Sequence, residues 1–149
     1  MLRTFSKLYG MAGLRCGVAI ARPDLLAKLD VVGGENPLPV TAMVAAIASL
    51  KDANIVAERK RINTSVRQQT FAWLDSNGYR FSPSVSNCFL VETKRKAQDV
   101  IAAMQSQKVY IGRPWPSMPT WVRVSVGTQE EMEQFQIAFR KVMTGAVSA

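Results

Sequence analysis

Hydrophobic spacing along the chain changes character near Gly78. Before it, apolar positions mostly recur at helical intervals; after it, period-2 stretches and helical stretches alternate. Residues 1–6 read as the end of a strand entering a glycine-containing loop, and GVAIA (17–21) is a short β-compatible run. Pro23-Asp24 opens a helix that should stop near Gly33-Gly34, and ENPLP is a rigid break. TAMVAAIASLKD follows as an alanine-rich helix with Val44, Ile47 and Leu50 near one face. From about Asn54 to Ser76 the spacing predicts a long helix, with Ile55, Ile62, Val66 and Trp73 along one side and Asn77-Gly78 as its cap.

Beyond Gly78, YRF and NCFLVET are strand-like, KAQDVIAAMQSQK is a helix, and KVYIG is a strand leading into the proline-rich loop RPWPSMP. WVRVSV alternates cleanly, with Val122, Val124 and Val126 facing one way and Trp121, Arg123 and Ser125 the other. Thr128 and Glu131 have the spacing of a capping box, and Met132, Phe135, Phe139 and Val142 form the buried stripe of the helix it starts. The layout is α/β, with a boundary near Gly78 and a small β-α-β-β-α unit after it. The first 35 residues look like one edge of a larger sheet domain. Too little precedes Gly78 to close a parallel sheet with helices on both faces, so the chain reads as the C-terminal portion of a longer protein.

Composition narrows the chemistry. Nearly half of the 149 residues are apolar, a fifth are charged and the net charge is +8. The densest basic cluster, ERKRINTSVR with Arg59, Lys60, Arg61 and Arg67, fans around the polar face of the long helix. It carries no aromatic interleaving and no recognised nucleic-acid module, so it reads as a solvated face. No apolar run approaches the roughly 20 residues of a bilayer span, and MLRTFSKLYG has no signal-like apolar core. The expectation is a cytoplasmic protein that binds neither nucleic acid nor membrane. Cys16 and Cys88 stand far apart and read as two buried, reduced thiols rather than a metal site. With no histidine in the chain, Ser-His-Asp and Cys-His devices are excluded within these residues, and lysine and arginine must carry much of any chemistry.

The stretch TFSKLYGMAGLRCG (4–17) concentrates that chemistry. A lysine amine, with its ordinary pKa of about 10.4, becomes a nucleophile toward aldehydes when a tight loop and a neighbouring cation favour its neutral form. Arg15 supplies the cation, and Thr4 and Ser6 supply hydroxyls; arginine, hydroxyls and backbone N–H groups together suit a phosphate. An aldehyde and a phosphate on one molecule describe pyridoxal phosphate, although most loop lysines are simply solvated.

T-F-S-K-x-Y-G-M-A-G-L-R-x-G resembles the cofactor-lysine signature of fold-type I, class I/II pyridoxal-phosphate aminotransferases. It is most similar to the histidinol-phosphate aminotransferase branch, and the likeness extends through NPLPVTAMVAA and the long helix to WVRVSVGTQEEMEQF. The resemblance implies the end of the large cofactor-binding domain in residues 1–35, a helical connection in 36–77 and the small C-terminal α/β domain in 78–149. It implies that Lys7 carries the cofactor as a Schiff base and then serves as general base and acid, that Arg15 binds the cofactor phosphate with Ser6 and Thr4, and that Arg123 clamps the substrate α-carboxylate. Arg113 would meet a substrate phosphate, but its setting RPWPSMPTW departs from the usual pattern. Trp115, Met118 and Trp121 are either loop packing or a pocket for a bulky side chain. Tyr9 lines the loop or merely packs.

The implied activity is transfer of an amino group between an amino acid, or an amino-alcohol phosphate such as histidinol phosphate, and a 2-oxo acid, in a homodimer. A threonine-phosphate-decarboxylase-like enzyme and a catalytically inactive basic fragment are the alternatives. The family's phosphate loop, ring-stacking aromatic residue and pyridinium-pairing aspartate would belong upstream, so this stretch alone is not expected to transaminate.

Overall fold

The computed structural model describes residues 1–33 and 37–145, which fall into two compact units, Met1–Lys60 and Arg61–Ala149. In the first unit, β1 (Leu2–Thr4) pairs antiparallel with β2 (Gly17–Ala19), in register Thr4 to Gly17 and Leu2 to Ala19. Between them the loop closes through a single 3-10 turn at Ala12–Leu14. Helices α1 (Pro23–Gly33) and α2 (Val40–Lys51) follow, with Pro23 at the first position of α1, where its missing N–H goes unmissed. Gly34, Glu35 and Asn36, and with them part of the expected ENPLP break, lie outside the described residues.

The periodicity of α2 mis-ranks its faces. Val44, Ile47 and Leu50 are exposed, whereas Ala42 and Ala46 are buried with Phe5, Met11 and Cys16 of the loop. Alanine lets a helix approach the loop backbone closely, which larger side chains would prevent. The larger apolar face of α2 is open, as are Val31 and Val32 of α1.

Helix α3 (Ile55–Ser76) matches the expected long helix. Asp52 starts it by accepting from the N–H groups of Asn54 and Ile55, and Gly78, at φ +72°, ends it. Its buried side chains are Val66, Arg67, Thr70, Phe71 and Leu74, while Ile62 is exposed and Trp73 half-buried. Arg67 corrects the reading of the basic cluster: Arg59, Lys60 and Arg61 are solvated, but Arg67 is only 4% exposed.

In the second unit, β3 (Cys88–Glu92) and β4 (Trp121–Ser125) form an antiparallel pair, Leu90 opposite Arg123. The YRF segment joins its edge through one bridge, Phe81 to Val91. KVYIG does not form the expected strand; its tie to β4 is the Gly112 N–H donating to the Arg123 carbonyl at 2.7 Å. Helices α4 (Ala97–Ser106) and α5 (Gln129–Thr144) supply the rest of the core around Val91, Val100, Met104, Val122, Val124 and Phe139. The capping box forms as read: Thr128 Oγ1 accepts from the Glu131 N–H, and Glu131 accepts from the Thr128 N–H. Met132, Phe135, Phe139 and Val142 are buried, as the spacing predicts. No single described helix is long and apolar enough to cross a membrane.

Candidate functional site

The lysine loop is built outward from three buried side chains. Phe5, Met11 and Cys16 are each at most 6% exposed, and Tyr9 packs on Phe5 with ring centroids 4.9 Å apart. Backbone bonds fix the loop's shape: the Phe5 N–H donates to the Cys16 carbonyl, the Met11 N–H to the Phe5 carbonyl and the Gly10 N–H to the Lys7 carbonyl. Gly10, at φ +69°, takes the turn after the lysine. With the apolar positions inward, Thr4, Lys7 and Arg15 are exposed and Ser6 half-exposed.

Two details shape what this loop can hold. Thr4 Oγ1 accepts from the Ser6 N–H at 3.1 Å, which leaves the threonine hydroxyl hydrogen available to a ligand. Arg15 sits at φ 53°, ψ 51°, in the left-handed region that non-glycine residues rarely occupy, and its Nη1 donates to the Ala12 carbonyl at 2.8 Å. The remaining guanidinium N–H groups make no further bond among the described residues. A strained backbone that aims a cation is the kind of outlier found at binding loops.

The second unit holds a cleft of about 490 Å³ beside β3 and β4. Arg123 lines it with Cys88, Leu90, Trp115 and Met118, and the segment Ser82–Ser86 forms another wall. The alternation of β4 accounts for this placement: Val122 and Val124 are buried in the core, and Arg123 emerges on the other face. Arg123 Nε is buried with no hydrogen-bond partner, and the described ion pairs are Arg22–Asp24 and Arg80–Glu92, so no carboxylate of the described residues neutralises Arg123.

Arg67 holds the serine-rich wall. Its Nη1 donates to the carbonyls of Val85 and Ser86 and to Asn63 Oδ1, and its Nη2 to Thr64 Oγ1. Ser86 Oγ in turn donates to the Cys88 carbonyl and accepts from the Cys88 N–H. Cys88 is half-buried at the cleft, not fully buried as its composition suggested, and both thiols are free.

Of the loop residues singled out in the sequence, Trp115 and Met118 line the cleft, while Trp121 instead stacks under the Arg80 guanidinium at 5.5 Å. Arg113 is exposed outside the cleft lining, its guanidinium 4.7 Å from the Trp115 ring centroid. The sequence reading missed Ser82–Ser86, Cys88, Leu90 and Gly112. Only Gly112 carried a signal: a glycine at the end of a strand-like run is consistent with a close backbone approach.

Residues 1–138 match the family of class I and II aminotransferases. The histidinol-phosphate aminotransferase of Moorella thermoacetica is 32% identical over 145 residues, which cover 96% of this chain and 37% of that protein. Among solved structures, a candidate histidinol-phosphate aminotransferase of Erwinia carotovora atroseptica has a TM-score of 0.91 at 29% identity, over 97% of this chain and 42% of its own. The histidinol-phosphate aminotransferase of Sinorhizobium meliloti, in complex with pyridoxal-5'-phosphate, has a TM-score of 0.86 at 24% identity, over 98% and 41%. The chain thus spans about two fifths of the length of the curated relatives it matches. Its α/β units have the fold of the corresponding part of fold-type I aminotransferases, and the chain belongs to the class I and II aminotransferase family.

Proposed function

We propose that the chain is part of a pyridoxal-phosphate-dependent aminotransferase that moves an amino group between an amino acid, or an amino-alcohol phosphate such as histidinol phosphate, and a 2-oxo acid. The observation that carries this reading is the lysine loop, whose buried Phe5, Met11 and Cys16 leave Lys7, Thr4 and the strained Arg15 exposed together on one short loop. The donor set fits the cofactor: an amine for an aldehyde, and two hydroxyls plus a guanidinium for a phosphate.

When bound, pyridoxal phosphate supplies an electron-withdrawing ring that acidifies the substrate Cα–H. Lys7 Nζ would hold the cofactor through its aldehyde and would be the group that takes the substrate Cα proton and returns it. Arg15, Thr4 and Ser6 would bind the phosphate and so hold the cofactor on the loop. Arg123 clamps the substrate carboxylate, supported by its unneutralised position in the cleft. The apolar cleft wall of Phe89, Leu90, Trp115 and Met118 favours an apolar or aromatic substrate side chain. Arg113, stacked on Trp115, is the candidate for a substrate phosphate. The pyridinium-pairing aspartate and a second subunit of a homodimer complete the site from outside these residues.

The test is reduction by borohydride of the whole protein loaded with pyridoxal phosphate, followed by peptide mapping. The pyridoxyl mass is expected on the peptide containing Lys7 and is lost in Lys7→Ala. A label on another lysine, or none, would overturn the assignment.

A further inference from the structure

We propose that Gly112 is a positioning residue that sets the direction of the Arg123 guanidinium; the inference rests on the carboxylate-binding role proposed for Arg123. The three described glycines at positive φ, Gly10, Gly78 and Gly145, have nothing within 4 Å of where a Cβ would stand, so the backbone conformation explains them. Gly112 is the reverse case. Its φ lies outside the left-handed region, and what it provides is room. A Cβ there would lie 2.9 Å from Arg123 Nε, 3.0 Å from the Arg123 carbonyl oxygen and 3.2 Å from Arg123 Cβ. The arginine stem therefore runs directly across the Gly112 peptide, held there by the 2.7 Å bond from the Gly112 N–H to the Arg123 carbonyl.

Arginines in binding clefts are usually aimed by hydrogen bonds or a carboxylate. Arg123 has neither: its Nε is buried without a partner, and no ion pair involves it. The bare Gly112 backbone, lying against the stem and the Nε, steers it instead. The Nε is sealed against that backbone, which leaves the terminal nitrogens Nη1 and Nη2, the pair that binds a carboxylate end-on, for the cleft. A methyl group at 112 pushes the stem away and turns that pair out of line.

The test is a double-mutant cycle in the whole protein with wild type, Gly112→Ala, Arg123→Ala and the double variant. Binding of 3-phenylpropanoate and of glutarate, carboxylates with no amino group to react, is measured by calorimetry, with thermal unfolding of each protein alongside. Gly112→Ala is expected to weaken carboxylate binding by roughly tenfold to a hundredfold in the parent and to have no further effect once Arg123 is alanine. The contact to the Arg123 carbonyl persists in both backgrounds, so backbone distortion alone would give equal losses in both and overturn the proposal, as would no loss in the parent. If Gly112→Ala fails to fold, restored folding in the double variant supports the clash with the arginine side chain; continued misfolding overturns it. Undiminished binding by Arg123→Ala, or no binding by wild type, would instead sink the carboxylate role itself.

Discussion

Replacing Arg67 by methionine keeps most of the stem's volume and removes the charge and every hydrogen bond it makes. The arginine is 4% exposed and donates at 2.8 Å to Asn63 Oδ1, 3.1 Å to the Ser86 carbonyl, 3.3 Å to the Val85 carbonyl and 3.3 Å to Thr64 Oγ1. All four are donated by the charged guanidinium; the two shorter contribute about 1.5–3 kcal/mol each and the longer pair adds less. Against this stand the orphaned Nε, which costs about 1–3 kcal/mol, and burial of a cation with no anion beside it. Val85 and Ser86 are exposed, so their carbonyls can turn to water after the change. The balance is a loss of about 1–3 kcal/mol, with Arg67→Ala losing more because it also leaves a cavity. Urea unfolding followed by tryptophan fluorescence reads this directly, because all three tryptophans, Trp73, Trp115 and Trp121, lie in the unit that contains Arg67. A methionine variant as stable as the parent, or more so, would refute the reasoning: the buried cation would then be a net liability, as buried charges often are.

Gly78→Ala should lower stability by about 1–2 kcal/mol, because φ is +72° and the new methyl meets nothing within 4 Å; an unchanged unfolding midpoint would mean the helix end can re-form without the left-handed turn. Glu130 is held below its ordinary value of 4.5, first by its backbone hydrogen bond and then by Thr128, with a small opposing contribution from desolvation. Its folded value is therefore below its unfolded one, so its contribution to stability is present above the ordinary carboxylate range and is lost as pH falls through it. The stability difference between parent and Glu130→Gln should accordingly shrink between about pH 7 and about pH 3; a constant difference would contradict the sign.

Where one physical rule governs a segment, the sequence is legible. The capping box at Thr128 and the alternation of β4 each depend on neighbours in the chain, and both form as spacing predicts. For the lysine loop the sequence offers residue types suited to an aldehyde and a phosphate within a few positions, and the structure adds that Thr4, Lys7 and Arg15 are exposed on it. The cleft is not, because Ser82–Ser86, β3, β4 and the Trp115–Met118 turn meet only through tertiary packing. Size also misleads. Periodicity ranks Val44, Ile47 and Leu50 as the packing face of α2, yet the loop packs on Ala42 and Ala46, where the backbones come closest. Nothing in ERKRINTSVR marks Arg67 as the one of its four basic residues that is buried.

The left-handed backbone at Arg15 sets stability and purpose against each other at a single position. Glycine there would relieve about 1–2 kcal/mol of strain and asparagine part of it, since both tolerate φ 53° better than arginine. A laboratory selection for heat resistance alone would therefore drift toward Arg15→Gly, yielding a hardier protein stripped of the loop's only guanidinium. In the proposed role of Arg15 as the phosphate ligand, the position gives up fold stability for the guanidinium that the ligand needs.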